Sequence, residues 1–321
     1  MKTMKWLVKR EFWEHKGGFF WTPAVVGAIM AFFLAASLIA AVVLGNMHGM
    51  HINGLKVGNL SEAMDIQERG QFLEALTQGY MGTAAPLFMV LAFVVFFFCL
   101  GSLFDERKDR SVLFWKSLPV SDSETVLSKL AMALVVAPLI TLVFATITGL
   151  LSLLFITITA AYFGLNLVGD VLTSSALYLA PLQVAAMIPV YIVWALPTVG
   201  WLMMVSAWAR TKPFLWAVGV PLLAGALLSW FNAMFDFNWN ISWFWQNIVA
   251  RGLASVVPGS WFALMDPAGG YQLGQNDTAS IGGLVSQSWR VLASANAWIG
   301  AALGAAMIYA AIRLRRYRDE G

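Results

Sequence analysis

Charge is scarce in this chain. Only 12% of its 321 residues are Asp, Glu, Lys or Arg, while 60% are hydrophobic. An ordinary soluble domain carries roughly 25% charged residues. Cysteine occurs once, as Cys99 inside an apolar run, so there is no disulfide framework and no Cys-based zinc site. Histidine occurs only as His15, His48 and His51. No His-Glu-x-x-His is present for a metalloprotease, and no apolar run contains a histidine for intramembrane Ser-His chemistry. A phosphate loop is also missing, because Gly17-Gly18 and Gly269-Gly270 lack the Lys-Ser/Thr that would follow. Asp105-Glu106 and Asp109 form an acidic cluster, but they alternate with cations, as in a salt-bridged helix start. The chain does not read as an enzyme, and a net charge of +3 does not mark a nucleic-acid binder.

Aromatic and aliphatic residues are abundant instead. Fifteen Trp, 22 Phe and a mean hydropathy of +0.73 exclude both a soluble globule and a disordered chain. Crossing about 30 Å of hydrocarbon takes roughly 20 mostly apolar residues in a helix. Six stretches qualify: 19–45, 85–104, 130–163, 175–209, 214–235 and 292–312. The third and fourth reach roughly 50 Å at 1.5 Å per residue, too short for two crossings and a turn. Each is read as one helix, with Pro138 in the third and Pro181, Pro189 and Pro197 in the fourth as kink sites. The first run is much longer than a signal-peptide core, which makes it a retained anchor.

Basic residues test this count, since they collect in cytoplasmic loops. Sixteen of the twenty fall in the N-terminus, the loop after span two, the turn after span four and the C-terminus. Only Lys56, Arg69, Arg251 and Arg290 fall on the other side. The expected fold is therefore an all-α integral membrane protein, a single transmembrane domain over 1–321, with six transmembrane helices and both termini cytoplasmic. The outer segments are 46–84, with a polar helix near Ser61–Gln78, then 164–174, then 236–291. Trp239, Trp243, Trp245 and Trp261 give the last of these an interfacial character.

No Asp, Glu, Lys, Arg or His lies within the six runs. Proton-coupled transporters and charge-lined channels place such groups at depth, so energy for any transport is expected from outside the bilayer. Gln183, Asn232 and Asn296 are the candidates for a polar substrate path, the alternative being helix–helix glue. On the outer side, Met47, His48, Met50 and His51 are thioether and imidazole donors suited to Cu(I). They define an alternative reading as a copper-handling protein, against an ordinary polar loop in a Met-rich chain.

Two cytoplasmic segments carry the functional signal. Residues 1–18 mix Trp6, Leu7, Phe12 and Trp13 with Lys5, Lys9, Arg10, Glu11 and Glu14, which reads as an interfacial helix on anionic lipid or as a disordered positive flank. Residues 105–129 open with Asp105, Glu106, Arg107 and Arg110. An apolar patch with Leu113, Phe114 and Leu118 follows, stopped by Pro119. Ser121 then caps a new helix, with Glu124 as reciprocal partner, and Lys129 leads into span three. An exposed apolar helix of this kind needs a groove on a partner, the alternative being a loop helix that lies on the membrane surface.

This stretch, with Glu106, Arg107, Ser111, Leu113, Leu118, Pro119, Ser121 and Lys129 as markers, resembles the permease subunits of type-2 ABC (ABC-2) exporters. Lys9-Arg10-Glu11-Phe12 and the six-span layout are similar too. The resemblance covers the chain by layout, whereas its specific motif covers about 25 residues. It implies a permease in the bacterial inner membrane that pairs with a second permease subunit, identical or similar. A separate ATPase subunit, which holds ATP and Mg, docks on the coupling helix within 105–129, and the chain itself needs no cofactor. It also implies short re-entrant helices in 236–291. Uncharged, aromatic-rich spans point to a lipid-like or amphipathic cargo. A non-transporting scaffold or sensor complex with the same architecture is the alternative.

Overall fold

The computed structural model describes residues 2–48, 51–52, 55–56, 66–109, 120–264 and 281–317. Among the described residues the regular structure is helical except for one short antiparallel pair, His51–Ile52 with Leu55–Lys56. Six helical stretches are long and apolar enough to cross a membrane: Gly17–Leu44, Gln67–Lys108, Asp122–Tyr162, Ser175–Trp208, Leu215–Phe235 and Ala295–Tyr317. The number matches the sequence reading, but some ends do not. The second is longer than expected because the helix Ile66–Gly79 runs through a 3-10 turn, Tyr80–Ala84, into Ala85–Gly101. Residues 61–65, including the expected cap Ser61, lie outside the described residues. The sixth runs on to Tyr317, carrying Arg313, Arg315 and Arg316 on its last turns.

The prolines act unequally. Pro189 sits in the first turn of Ile188–Trp208, just after the helix Ser175–Ala185 ends, and so marks a real break in the fourth span. A proline there gives up no hydrogen bond, because first-turn N–H groups have no intrahelical acceptor. Pro181 and Pro197 lie inside the two helices of that span. In the third span, Asp122–Ala131 passes through a wide π-helical turn, Met132–Val136, into Ala137–Tyr162, with Pro138 in the first turn beyond it. Similar wide turns open the first span at Gly17–Trp21 and the fifth at Leu215–Gly219.

Packing centres on the fourth and sixth spans. Gly200 and Gly304 face each other there, and a Cβ added to Gly304 would lie 2.8 Å from Pro197 N, with the Leu196 carbonyl closer still. Close backbone approach of this kind is how membrane helices gain van der Waals contact without a hydrophobic driving force. Around this crossing, Val95, Cys99, Met132, Trp194, Leu202 and Met203 form the main core. A second cluster at the other end packs Tyr80, Leu87, Ala145, Leu165 and Leu167, with the Tyr80 hydroxyl donating to Leu177 O at 2.8 Å. The helix Ile66–Gly79 is held there by Arg69, which reaches Asp170 at 3.0 Å and Asn166 O at 2.9 Å. Exposed Phe32, Phe33, Phe93, Leu223 and Leu303 cover the bundle's sides, as an apolar solvent demands.

Candidate functional site

One end of the bundle carries a buried ionic junction. The N-terminal helix Lys2–Glu14 turns Leu7 and Glu11 inward and leaves Trp6 and Trp13 exposed. Glu11 meets Lys129 Nζ at 2.9 Å, and the same ammonium lies 2.9 Å from Glu106 Oε1. Arg315 closes the other side, with Nη1 2.6 Å from Glu106 Oε2 and Nε 3.1 Å from Asp122 Oδ1. Arg10 pairs with Glu11 and comes within 3.6 Å of Glu106. Glu11 is fully buried and Lys129 is 2% exposed. Isolated charges in such a place would be costly. Here Arg10, Lys129 and Arg315 balance Glu11, Glu106 and Asp122, and each of the five residues other than Asp122 contacts more than one partner or has a bidentate-capable group aimed at one.

The junction ties together four pieces of chain far apart in sequence: the N-terminal helix, the short helix Phe104–Lys108, both ends of the helix Asp122–Ala131 and the end of Ala295–Tyr317. A fifth joins through Ser206. Its hydroxyl accepts from the N–H groups of Leu103 and Phe104, both at 3.0 Å, and so caps the short helix from another span. Arg107 donates to Ser206 O at 2.8 Å and Ala209 O at 2.7 Å. Ser121 caps the next helix as its spacing predicts, accepting from Glu124 N at 3.2 Å while Glu124 accepts from Ser121 N at 3.1 Å. Glu106 and Arg107 therefore face inward, and Asp105 is exposed. Arg110, Leu113, Phe114, Leu118 and Pro119 lie outside the described residues, as does Ser111.

A second constellation lies in the segment between the fifth and sixth spans, whose first helical pieces are Ile241–Phe244, a wide turn Trp245–Ala250 and Arg251–Ala254. Arg251 is 5% exposed. Its Nη1 donates to Asn296 Oδ1 and its Nη2 to Asn296 O at 2.6 Å. The guanidinium stands 4.6 Å from the Trp194 ring centre, a cation–π contact. The Arg251 carbonyl accepts from Thr198 Oγ1 at 3.0 Å and Ser255 Oγ at 2.6 Å. Gly300 makes the space, since a Cβ there would overlap the guanidinium. Burial pulls the Arg251 pKa below its ordinary value, yet a guanidinium keeps its proton in proteins. It lines a cavity of about 590 Å³ whose other walls include Trp201, Phe244, Ile299 and Leu303.

The three path candidates do not share one cavity. Asn296 holds Arg251, and Asn232 accepts from Trp239 N at 2.8 Å at the end of the fifth span. Gln183 lies on a separate pocket beside Ile281 and Gly282. Glu11, Glu14 and His15 bring possible metal-ligand atoms within 4.8 Å of one another, but the Glu11 carboxylate is already committed to Lys129 and Arg10. Met50 lies outside the described residues, as do the side chains of Met47, His48 and His51.

Arg251, Arg315, Asp122 and Ser206 escaped the sequence reading. In the sequence Arg251 reads as an ordinary cation of a loop outside the spans. The spacing of Gly300 and Gly304, glycines four apart in an apolar helix, was a readable sign of close helix packing. No family model, no curated protein and no solved structure matches the chain.

Proposed function

We propose that this chain is the permease subunit of an ATP-driven ABC transporter in a bacterial inner membrane, moving a lipid-like or amphipathic cargo. A separate ATPase subunit docks on residues 110–119, with the ionic end of the bundle facing the cytoplasm. One observation carries this reading. Arg315 binds Glu106 just before that stretch and Asp122 just after it, so both of its ends are clamped to the sixth span. A docking element needs such a base, because a push on a loose loop moves nothing else. Through Lys129 and Glu11 the same base reaches the third span and the N-terminal helix. Glu106 and Arg107 act in this reading as anchors, and Leu113, Phe114 and Leu118 as the docking surface. The absence of ionisable residues from the apolar runs supports an energy source outside the bilayer.

The test is affinity purification of the tagged chain in mild detergent from its own host. A stoichiometric partner carrying a phosphate loop is the expected result, with loss of that partner on deletion of 112–118. If no ATPase accompanies the intact chain even after mild crosslinking, the reading fails.

A further inference from the structure

Arg251 is a buried cation whose charge no described residue balances. Among the described residues no carboxylate pairs with it, and its Nε–H, itself buried, finds no acceptor. Asn296 and Trp194 offer dipoles and a π face, which soften the desolvation of a guanidinium without cancelling its charge. The ionic junction at the other constellation shows the contrast, since each buried cation there has a carboxylate at 2.6–2.9 Å. What stands beside Arg251 instead is open space, a cavity of about 590 Å³. That is the size range of sites for small organic molecules. Its walls are apolar apart from Arg251 and the two amides of Asn247 and Asn296.

From this pairing of an uncompensated guanidinium with an otherwise apolar cavity, we propose that the space between the fourth, fifth and sixth spans binds an anionic amphiphile from the bilayer. Arg251 takes the phosphate or carboxylate head, and Trp201, Phe244, Ile299 and Leu303 hold the start of the acyl chain. The guanidinium is suited to this, since it carries five N–H groups and Asn296 takes only two of them, one from Nη1 and one from Nη2, which leaves donors for an oxyanion. Gly300 serves the site by leaving the guanidinium room on the sixth span. The site is a binding site in its own right and does not depend on the chain working with an ATPase.

The experiment uses the purified full chain in mild detergent, supplemented with phosphatidylglycerol, phosphatidylcholine or inorganic phosphate alone. Bound lipid is counted by native mass spectrometry, and thermal unfolding is followed in parallel. Phosphatidylglycerol is expected to be retained about tenfold better than phosphatidylcholine, the scale of charge-assisted hydrogen bonds, and to raise the melting temperature, with phosphate alone doing neither. Arg251→Gln is expected to remove the preference. Should that variant fail to fold, Leu303→Trp, which fills the cavity from an exposed position and leaves Arg251 in place, is expected to abolish retention. Equal retention of both lipids by the intact chain, or a Leu303→Trp protein that binds phosphatidylglycerol unchanged, would overturn the proposal. Stabilisation by inorganic phosphate equal to that by phosphatidylglycerol would also overturn it, in favour of a free-anion site.

Discussion

Gly200 and Gly304 meet with no side chain between them, so that the fourth and sixth spans touch backbone to backbone. The pair sets how near the two most heavily packed spans can come.

Gly304→Ala therefore forces its new methyl into the Leu196–Pro197 peptide, and overpacking of this kind costs about 1–3 kcal/mol. Gly70→Ala is the control, because nothing lies within 4 Å of a Cβ there and the helix should gain by about 0.5–1 kcal/mol. Thermal unfolding in detergent should lower the melting point of the first and not of the second. An unchanged Gly304→Ala protein would contradict the close crossing.

Lys129→Met leaves two buried carboxylates, Glu11 and Glu106, without their shared cation. Removing one partner of a buried ion pair typically costs about 3–5 kcal/mol. Adding Glu11→Gln removes one stranded charge and is expected to restore part of the loss. Denaturant or thermal unfolding of the single and double variants measures the coupling, and strictly additive losses would show that the two residues do not interact.

Docking and anchoring predict different variants. Leu113→Asp should abolish co-purification of the ATPase while leaving the melting temperature where it was. Arg315→Ala should lower the melting temperature and leave the ATPase bound. The reverse pattern would exchange the roles assigned to the two residues.

Orientation is testable because Cys99, the lone cysteine, is buried and should stay silent to maleimides. In a Trp239→Cys protein a membrane-impermeant maleimide should react in spheroplasts. In a Glu14→Cys protein it should react only after lysis. Labelling of both from the same side would rule out a six-span arrangement with these two positions on opposite faces.

Local features were the legible ones. Hydrophobic run length located six spans, and the Ser121–Glu124 pair formed the cap that three-residue spacing implies. Of the prolines, spacing alone did not single out Pro189 over Pro181 and Pro197, because a proline breaks a helix only where packing lets the chain separate. The ionic junction was less visible. Glu11 and Lys129 lie 118 positions apart, and nothing local says that a charged residue at a helix end will turn inward. Arg251 was hidden for the same reason. An arginine in an outer segment reads as solvated until the segment is seen to pack against Trp194 and Asn296.

The wide turns have a mechanical consequence. Gly17–Trp21, Met132–Val136 and Leu215–Gly219 each open a span that starts from the end carrying the ionic junction. A π turn holds one residue more than a regular helical turn requires. Three spans thus carry spare length close to where they leave the junction, and each can take up a rotation of about 100° per residue at that level. Deleting one residue from such a turn should regularise the helix instead of breaking it.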